Sequence, residues 1–333
     1  MSMSLKWAVC GTGAIADQMA KTFEDSGNRF FGVCGTSYAK AEKFALKYGI
    51  DRAYSSFSGL CSDPDVDIVY IASPNNTHYS LIKQALQCGK HVLAEKPITL
   101  NSSELEELVR TASERKLVLA EAQTIWHMPL FKKLWEMKDA GRFGKVQVVT
   151  ANFGSFKTYD MENRYFSLAL GGGALLDIGT YALSAVLSFL DGEPSRVLSV
   201  STPSPSGSDE MSAIALATES GQVATIALSM HSRQPKRIMI SCEKGYLEIQ
   251  NYPRAEKAFF TDAQSGETTA LCEGSTDLAM LYEAEDMERA VLTSDTSCMK
   301  LGLTQSVMKI MTDIRREWGL KYPEEEIEDK KKS

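Results

Sequence analysis

The chain has 333 residues, 44% hydrophobic and 24% charged, with a formal net charge of -7. That length suits two domains rather than one core, and the ordinary apolar content makes a metal or disulfide staple unnecessary. The mildly acidic balance repels polyanions and excludes nucleic acid as an expected partner.

Met1 to Lys6 carry no apolar signal core, and no run of eighteen apolar residues occurs, so neither export nor a membrane span is expected. The first 120 or so residues alternate apolar runs with amphipathic stretches. Strands are predicted at Leu5–Cys10, Phe30–Cys34, Asp67–Ala72, His91–Ala94 and Leu117–Ala120. Helices are predicted at Ala14–Asp25, Tyr38–Tyr48, Thr77–Cys88 (stopped by Gly89) and Leu105–Arg115, the last capped from Asn101-Ser102-Ser103-Glu104. Strands apolar on both faces and separated by helices imply a doubly wound parallel sheet.

From about residue 125 the rhythm changes. A helix, Pro129–Ala140, leads into strand-like runs at Val146–Phe153, Val197–Ser201, Ala213–Thr218, Val223–Met230, Arg237–Cys242 and Tyr246–Gln250. Loops rich in Ser, Pro and Gly, such as Thr202–Ser208, separate them. Alternation along Ala224–Ser229 indicates a largely antiparallel sheet with one covered face. Helices at Met280–Leu292 and Leu301–Trp318 close the chain. The expected fold is α/β, with a dinucleotide-binding domain over 1–123 and a substrate-binding and oligomerisation domain over 124–333. Lys330-Lys331-Lys332, after an acidic stretch, reads as a solvated tail.

Gly11-Thr12-Gly13-Ala14-Ile15-Ala16 follows the first strand and opens the first helix. It matches the G-x-G-x-x-G/A dinucleotide fingerprint: a tight turn at Gly11, close pyrophosphate approach at Gly13, and the free N–H groups of a helix N-terminus at Ala14 and Ile15. The second strand ends in Gly35-Thr36-Ser37-Tyr38-Ala39-Lys40, without the acid that would accept ribose hydroxyls. Hydroxyls on Thr36 and Ser37, with Lys40 nearby, favour NADP over NAD. If Lys40 is only a solvated helix residue, either cofactor is accepted.

Ala94-Glu95-Lys96-Pro97 brings a more specific signal. Together with Ser73-Pro74-Asn75-Asn76-Thr77-His78 and the segment from Gly171 through Asp177-Ile178-Gly179-Thr180-Tyr181, it resembles the glucose-fructose oxidoreductase / inositol dehydrogenase / MocA (Gfo/Idh/MocA) family over nearly the whole chain. The family usually has histidine where this chain has Tyr181. The tyrosine version resembles the dimeric dihydrodiol dehydrogenase / D-xylose dehydrogenase branch, which favours NADP. The resemblance implies a Rossmann domain, an open-faced sheet in the second domain, and homodimers or homotetramers built through that sheet. It also implies a loop over the cofactor at Ser73, Pro74, Asn76 and His78, with Glu95 and Lys96 beside it.

The chemistry can be reasoned separately. Hydride transfer from an alcohol carbon needs a group to take the hydroxyl proton. A tyrosine, unperturbed near 10, needs a neighbouring cation to hold its phenolate. Lys96, at the carboxyl end of a parallel strand, is the candidate cation, and Tyr181 the acid/base; polarising the substrate oxygen or holding the nicotinamide ribose are the other roles open to Lys96. If the segment is helical, Asp177, four residues earlier, shares a face with Tyr181 and would orient substrate hydroxyls or tune the Lys96–Tyr181 pair. Arg164, Trp126 and His127 are weaker candidates for the substrate pocket; a core aromatic is the other reading of Trp126. The four dispersed histidines lack metal-ligand spacing, and no nucleophile elbow occurs. Seven cysteines, odd in number and without a C-x-x-C pair, fit a reducing cytoplasm. The expected activity is an NAD(P)-dependent dehydrogenase of a sugar, cyclitol or trans-dihydrodiol. The alternative is a non-catalytic nucleotide-binding regulator on the same fold.

Overall fold

Residues 4–325 are described by a computed structural model. The lysine run at 330–332 lies outside them. The chain divides into two compact units: Met1–Thr124 with Asp277–Leu301, and Ile125–Thr276 with Gly302–Ser333.

The first unit alternates strand and helix: β1 (Trp7–Cys10), α1 (Ala14–Asp25), β2 (Gly32–Cys34), α2 (Tyr38–Tyr48), β3 (Arg52–Tyr54), α3 (Phe57–Ser62), β4 (Ile68–Ile71), α4 (His78–Gln87), β5 (His91–Glu95), α5 (Ser102–Glu114) and β6 (Leu119–Ala122). The six strands are parallel, in the order β3-β2-β1-β4-β5-β6. Strand order reverses beside β1, and open sheets of this kind bind ligands at the carboxyl ends of the strands at that reversal. Every residue of β1, β2 and β4 is buried, as helix cover on both faces requires. The sequence pattern missed β3 and α3. A three-residue edge strand beginning with an exposed arginine carries no alternation to read, and α3 has six residues, including Gly59.

The second unit begins with the end of α6 (Thr124–His127) and continues through α7 (Pro129–Asp139), β7 (Val146–Gly154), a π-helical turn (Leu175–Gly179) and α8 (Thr180–Leu187). Seven strands follow: β8 (Pro194–Pro203), β9 (Asp209–Thr218), β10 (Val223–Ser229), β11 (Gln234–Cys242), β12 (Gly245–Gln250), β13 (Lys257–Asp262) and β14 (Thr268–Cys272). Two long helices, α9 (Ala279–Thr293) and α10 (Leu301–Glu317), follow the strands. The sheet order is β14-β13-β12-β11-β7-β10-β9-β8. Only β7 and β10 pair in parallel; every other neighbour is antiparallel. Along β10 the side chains alternate: Ala224, Ile226 and Leu228 are buried, while Val223, Thr225 and Ala227 are exposed. Helix α8 packs on β7 and β10. The opposite face is open and apolar, with Val200 68% exposed. The edge strand β14 and its neighbour β13 also escaped the sequence pattern; Thr268–Cys272 is exposed almost throughout and has no buried face to pattern.

Two segments stand out from the sequence pattern. The stretch Leu168–Leu187 is long and apolar enough, by composition, to cross a membrane, but 89% of its most apolar window is buried inside the fold. Helix α9 lies C-terminal in sequence yet belongs to the first unit. Its Met280, Ala284, Met287 and Ala290 join the core of Trp7, Val9 and Phe23. Its Glu288 carboxylate accepts hydrogen bonds from the Leu5 amide at 3.0 Å and the Trp7 indole at 3.3 Å. The amphipathic pattern of α9 shows that one face is buried, but not against which partner.

Candidate active site

In the first unit, four loops meet the carboxyl ends of β1, β2, β4 and β5. Gly11 donates its N–H to the Cys34 carbonyl at 2.9 Å and sits at φ +123°. A Cβ there would stand 2.4 Å from the Ala72 carbonyl oxygen, so the turn requires glycine. Gly13 differs: a Cβ on it would meet nothing within 4 Å. Its missing side chain therefore leaves open space rather than relieving a clash. No side chain caps α1, whereas Ser37, Ser56 and Asn101 cap α2, α3 and α5. An uncapped N-terminus with open space above it fits a pyrophosphate on the free N–H groups near Ala14 and Ile15. Ala14 is exposed, Ile15 leans on the core, and Ala16 is fully buried.

At the end of β2, Thr36, Ser37 and Lys40 are all exposed. The Lys40 ammonium donates to the Thr36 hydroxyl at 3.2 Å, which places hydroxyl and cation side by side. Ser37 accepts from the Lys40 amide at 3.4 Å as the cap of α2.

After β4, the loop Ser73–Thr77 is held by its own hydroxyls. Ser73 and Thr77 share a hydrogen bond of 2.7 Å, and Thr77 donates to the Pro74 carbonyl at 2.7 Å. Pro74 is exposed and Asn76 half-buried. His78 is fully buried. Its ring nitrogens lie 2.9 Å from the carbonyl oxygens of Pro97 and Ser73. Burial lowers its pKa, against the opposing pull of these two carbonyls. His78 thus ties the loop after β4 to the loop after β5 and presents no surface of its own. Lys96, half-buried, stands at the end of β5 with a cis bond to Pro97. Glu95 accepts from the Tyr70 hydroxyl and from the Lys96 amide, the latter at 3.3 Å.

In the second unit the structure brings Arg164 and Asp177 together, with Nη1 to Oδ1 at 3.2 Å. The Arg164 guanidinium also lies 4.3 Å from the Tyr165 ring, as does the Lys157 ammonium. Burial pushes the Tyr165 phenol up, but Arg164 and Lys157 together pull it below its ordinary value. Asp177 lies in the π-helical turn and Tyr181 in the first turn of α8, so their four-residue spacing falls where the helix widens and underwinds. Such turns recur at functional sites. The Tyr181 ring lies 6.1 Å from that of Phe153. Trp126 and His127 are fully buried, and Trp126 packs on Trp135 at 6.3 Å; within this unit Trp126 is a core aromatic.

Sequence reasoning missed the residues that hold the π-helical turn. Gly173, at φ +132°, admits the Asp209 carboxylate to within 2.2 Å of where a Cβ would be. Asp209 accepts from the Leu175 amide at 2.7 Å, and burial pushes its pKa up to about 6. Tyr322 donates to the Gly172 carbonyl at 2.9 Å. Buried Arg315 pairs with both oxygens of Glu325 at 2.9 Å. Nothing near Asp209 or Tyr322 in sequence points to this role; both partners lie far away along the chain.

Comparisons with known proteins speak to the family and the fold. A family model described as "Oxidoreductase family, NAD-binding Rossmann fold" matches residues 5–123, and one described as "GFO/IDH/MocA C-terminal domain" matches residues 131–248. The chain is 28% identical to the trans-1,2-dihydrobenzene-1,2-diol dehydrogenase of Xenopus laevis over 332 residues, covering 96% of this chain and 100% of that one. It is 27% identical to the Mus musculus protein of the same name over 339 residues, covering 97% and 99%. Among solved structures, an aldose-aldose oxidoreductase from Caulobacter crescentus superposes with a TM-score of 0.83 at 23% identity, over 94% of this chain and 97% of that one. A 3-ketoreductase from Actinomadura kijaniata, crystallised with NADP and TDP-benzene, gives 0.82 at 23% identity over the same shares. At these identities the structural likeness speaks for the fold. The family match reaches further: this chain is an NAD(P)-binding oxidoreductase and belongs to the GFO/IDH/MocA family.

Proposed function

We propose that the protein oxidises or reduces one CH–OH group of a polyhydroxylated small molecule, with Lys96 and Tyr181 as the acid/base unit. The observation that carries this is the Arg164–Asp177 pair, held on the turn that leads into Tyr181. A carboxylate accepts from a substrate hydroxyl and a guanidinium donates to its neighbour, which suits a vicinal diol. The bound nicotinamide supplies or takes the hydride; the chain's own groups orient the substrate and move the proton. The relatives' names, dehydrogenases of trans-dihydrodiols, support a diol substrate. A screen of sugars, cyclitols and trans-dihydrodiols, read by reduced-nicotinamide absorbance, tests it. Tight cofactor binding with no turnover on any of them would favour a regulator instead. The unpaired state of all seven cysteines supports work in the cytoplasm.

NADP is the preferred cofactor in this reading, on the strength of the Thr36–Lys40 pair and the missing acid. Ser37→Asp should reverse the order of NADPH and NADH affinities. Aspartate also caps helices, so α2 should persist, while its charge repels the 2′-phosphate and accepts from a free ribose. Isothermal titration with both nucleotides checks it, and a wild-type preference for NADH would refute the reading.

The open apolar sheet face supports a homodimer or homotetramer formed through it. Ala227 is exposed on β10, opposite Ala213 on β9. Ala227→Glu should therefore shift the protein to monomers in sedimentation velocity. A wild-type chain already monomeric at micromolar concentration would remove this proposal.

A further inference from the structure

We infer that Tyr252 is a positioning residue for proton transfer: its buried hydroxyl donates a hydrogen bond to the Tyr181 oxygen when that oxygen carries negative charge. This rests on the reading of Tyr181 as the acid/base.

The local chain drives Tyr252 inward. Asn251, directly after β12, sits in the left-handed region at φ +50°, which asparagine tolerates. Its amide donates to the Lys236 carbonyl at 2.6 Å. The short turn Tyr252–Arg254 follows, stiffened by Pro253, and packs against α8, the helix that carries Tyr181. Phe153 links the two tyrosines. Its ring is 6.1 Å from Tyr252, edge-on at 85°, and 6.1 Å from Tyr181.

Tyr252 is fully buried, and among the described residues its hydroxyl has no hydrogen-bond partner. Buried tyrosine hydroxyls almost always find one. Tyr322, equally buried, shows the normal solution by donating to the Gly172 carbonyl. Leaving a polar group unpaired in a packed interior costs stability without structural return, and such costs concentrate where function needs them. The electrostatic neighbour of Tyr252 is Tyr181. Burial pushes the Tyr252 phenol far above its ordinary value, and charge on Tyr181 pushes the same way. Tyr252 therefore keeps its proton, which makes it a donor and not a rival acid. A hydrogen bond formed to a phenolate in apolar surroundings is charge-assisted and strong.

Tyr252→Phe removes only the oxygen, and three readouts separate function from packing. Turnover should fall roughly 10- to 100-fold, the size of one lost hydrogen bond to a charged group, with the substrate KM and NADPH affinity unchanged. The ionisation that governs the rate should move upward in pH. The thermal midpoint should hold or rise, since an unpaired buried group has gone. In a Tyr181→Phe background the second substitution should change turnover no further. Wild-type turnover and pH profile in Tyr252→Phe, with Tyr181→Phe impaired, would overturn this inference and leave the acid/base reading standing. A Tyr181→Phe enzyme with normal turnover would overturn both. A lowered thermal midpoint with an unmoved pH profile would make Tyr252 a packing residue, again against the inference.

Discussion

Lys96→Met and Tyr181→Phe should each lower the turnover number by roughly 10²–10⁴-fold, the range for loss of a general acid or base. Both substitutions leave their surroundings in place. Phenylalanine keeps the ring beside Phe153. Methionine keeps the length of Lys96, whose loop is held by His78 and Glu95 rather than by the ammonium alone. The two effects should be far from additive, because either loss disables the same transfer. NADPH affinity should persist in Tyr181→Phe and weaken only modestly in Lys96→Met. The oxidation rate should rise with pH through one ionisation, since the phenolate is the form that accepts the substrate proton. In Lys96→Met that ionisation should move upward, because the charge favouring the phenolate is gone. Steady-state kinetics across pH on both variants decide it. Near-normal turnover in Tyr181→Phe would remove that tyrosine from the mechanism. Tyr165 would be the next candidate, its phenol already drawn below the ordinary value by Arg164 and Lys157.

Gly13→Val should weaken NADPH binding about 100-fold while the apo protein folds normally. A branched side chain at this position fills the open space where a pyrophosphate approaches the uncapped end of α1. Losing one or two hydrogen bonds to a charged group costs about 2–4 kcal/mol in binding. The fold has little reason to object: Gly13 has an ordinary φ of -83° and nothing within 4 Å of an added Cβ. Gly11→Ala supplies the contrast, since its Cβ would strike the Ala72 carbonyl and the damage should appear in stability first. Calorimetric titration with NADPH, beside thermal unfolding of the apo protein, measures both. Unchanged affinity in Gly13→Val would sink the assignment of the fingerprint.

The distinction between Gly11 and Gly13 also marks where sequence reading stops. The pattern Gly11-Thr12-Gly13 told of a turn and a helix start, because those follow from backbone conformation over six adjacent residues. The alternation of apolar strand and amphipathic helix told of a parallel sheet, and topology then put the loops after β1, β2, β4 and β5 at one edge. The same local logic read β7 to β12, whose buried faces alternate. It had no hold on β3 or β14, which lack a buried face to leave a period.

What the tertiary structure alone decided are the meetings of distant residues. Helix α9 showed an apolar stripe in sequence, but packing chose its host: Glu288 reaches back 281 positions to Trp7. Arg164 meets Asp177 because the loop before the glycine segment folds over it. Tyr322, 150 positions from Gly172, braces the same segment, and Asp209 holds the first amide of the π-helical turn from 34 positions away. Tyr252 was invisible for the same reason. A tyrosine in a polar turn looks like a surface residue until Phe153 and α8 close around it and leave its hydroxyl without a partner. Short-range propensity and periodicity set which segments are helix or strand and which face is apolar. The partner each face or polar atom finds depends on the packing of the whole chain, which no local stretch of sequence contains.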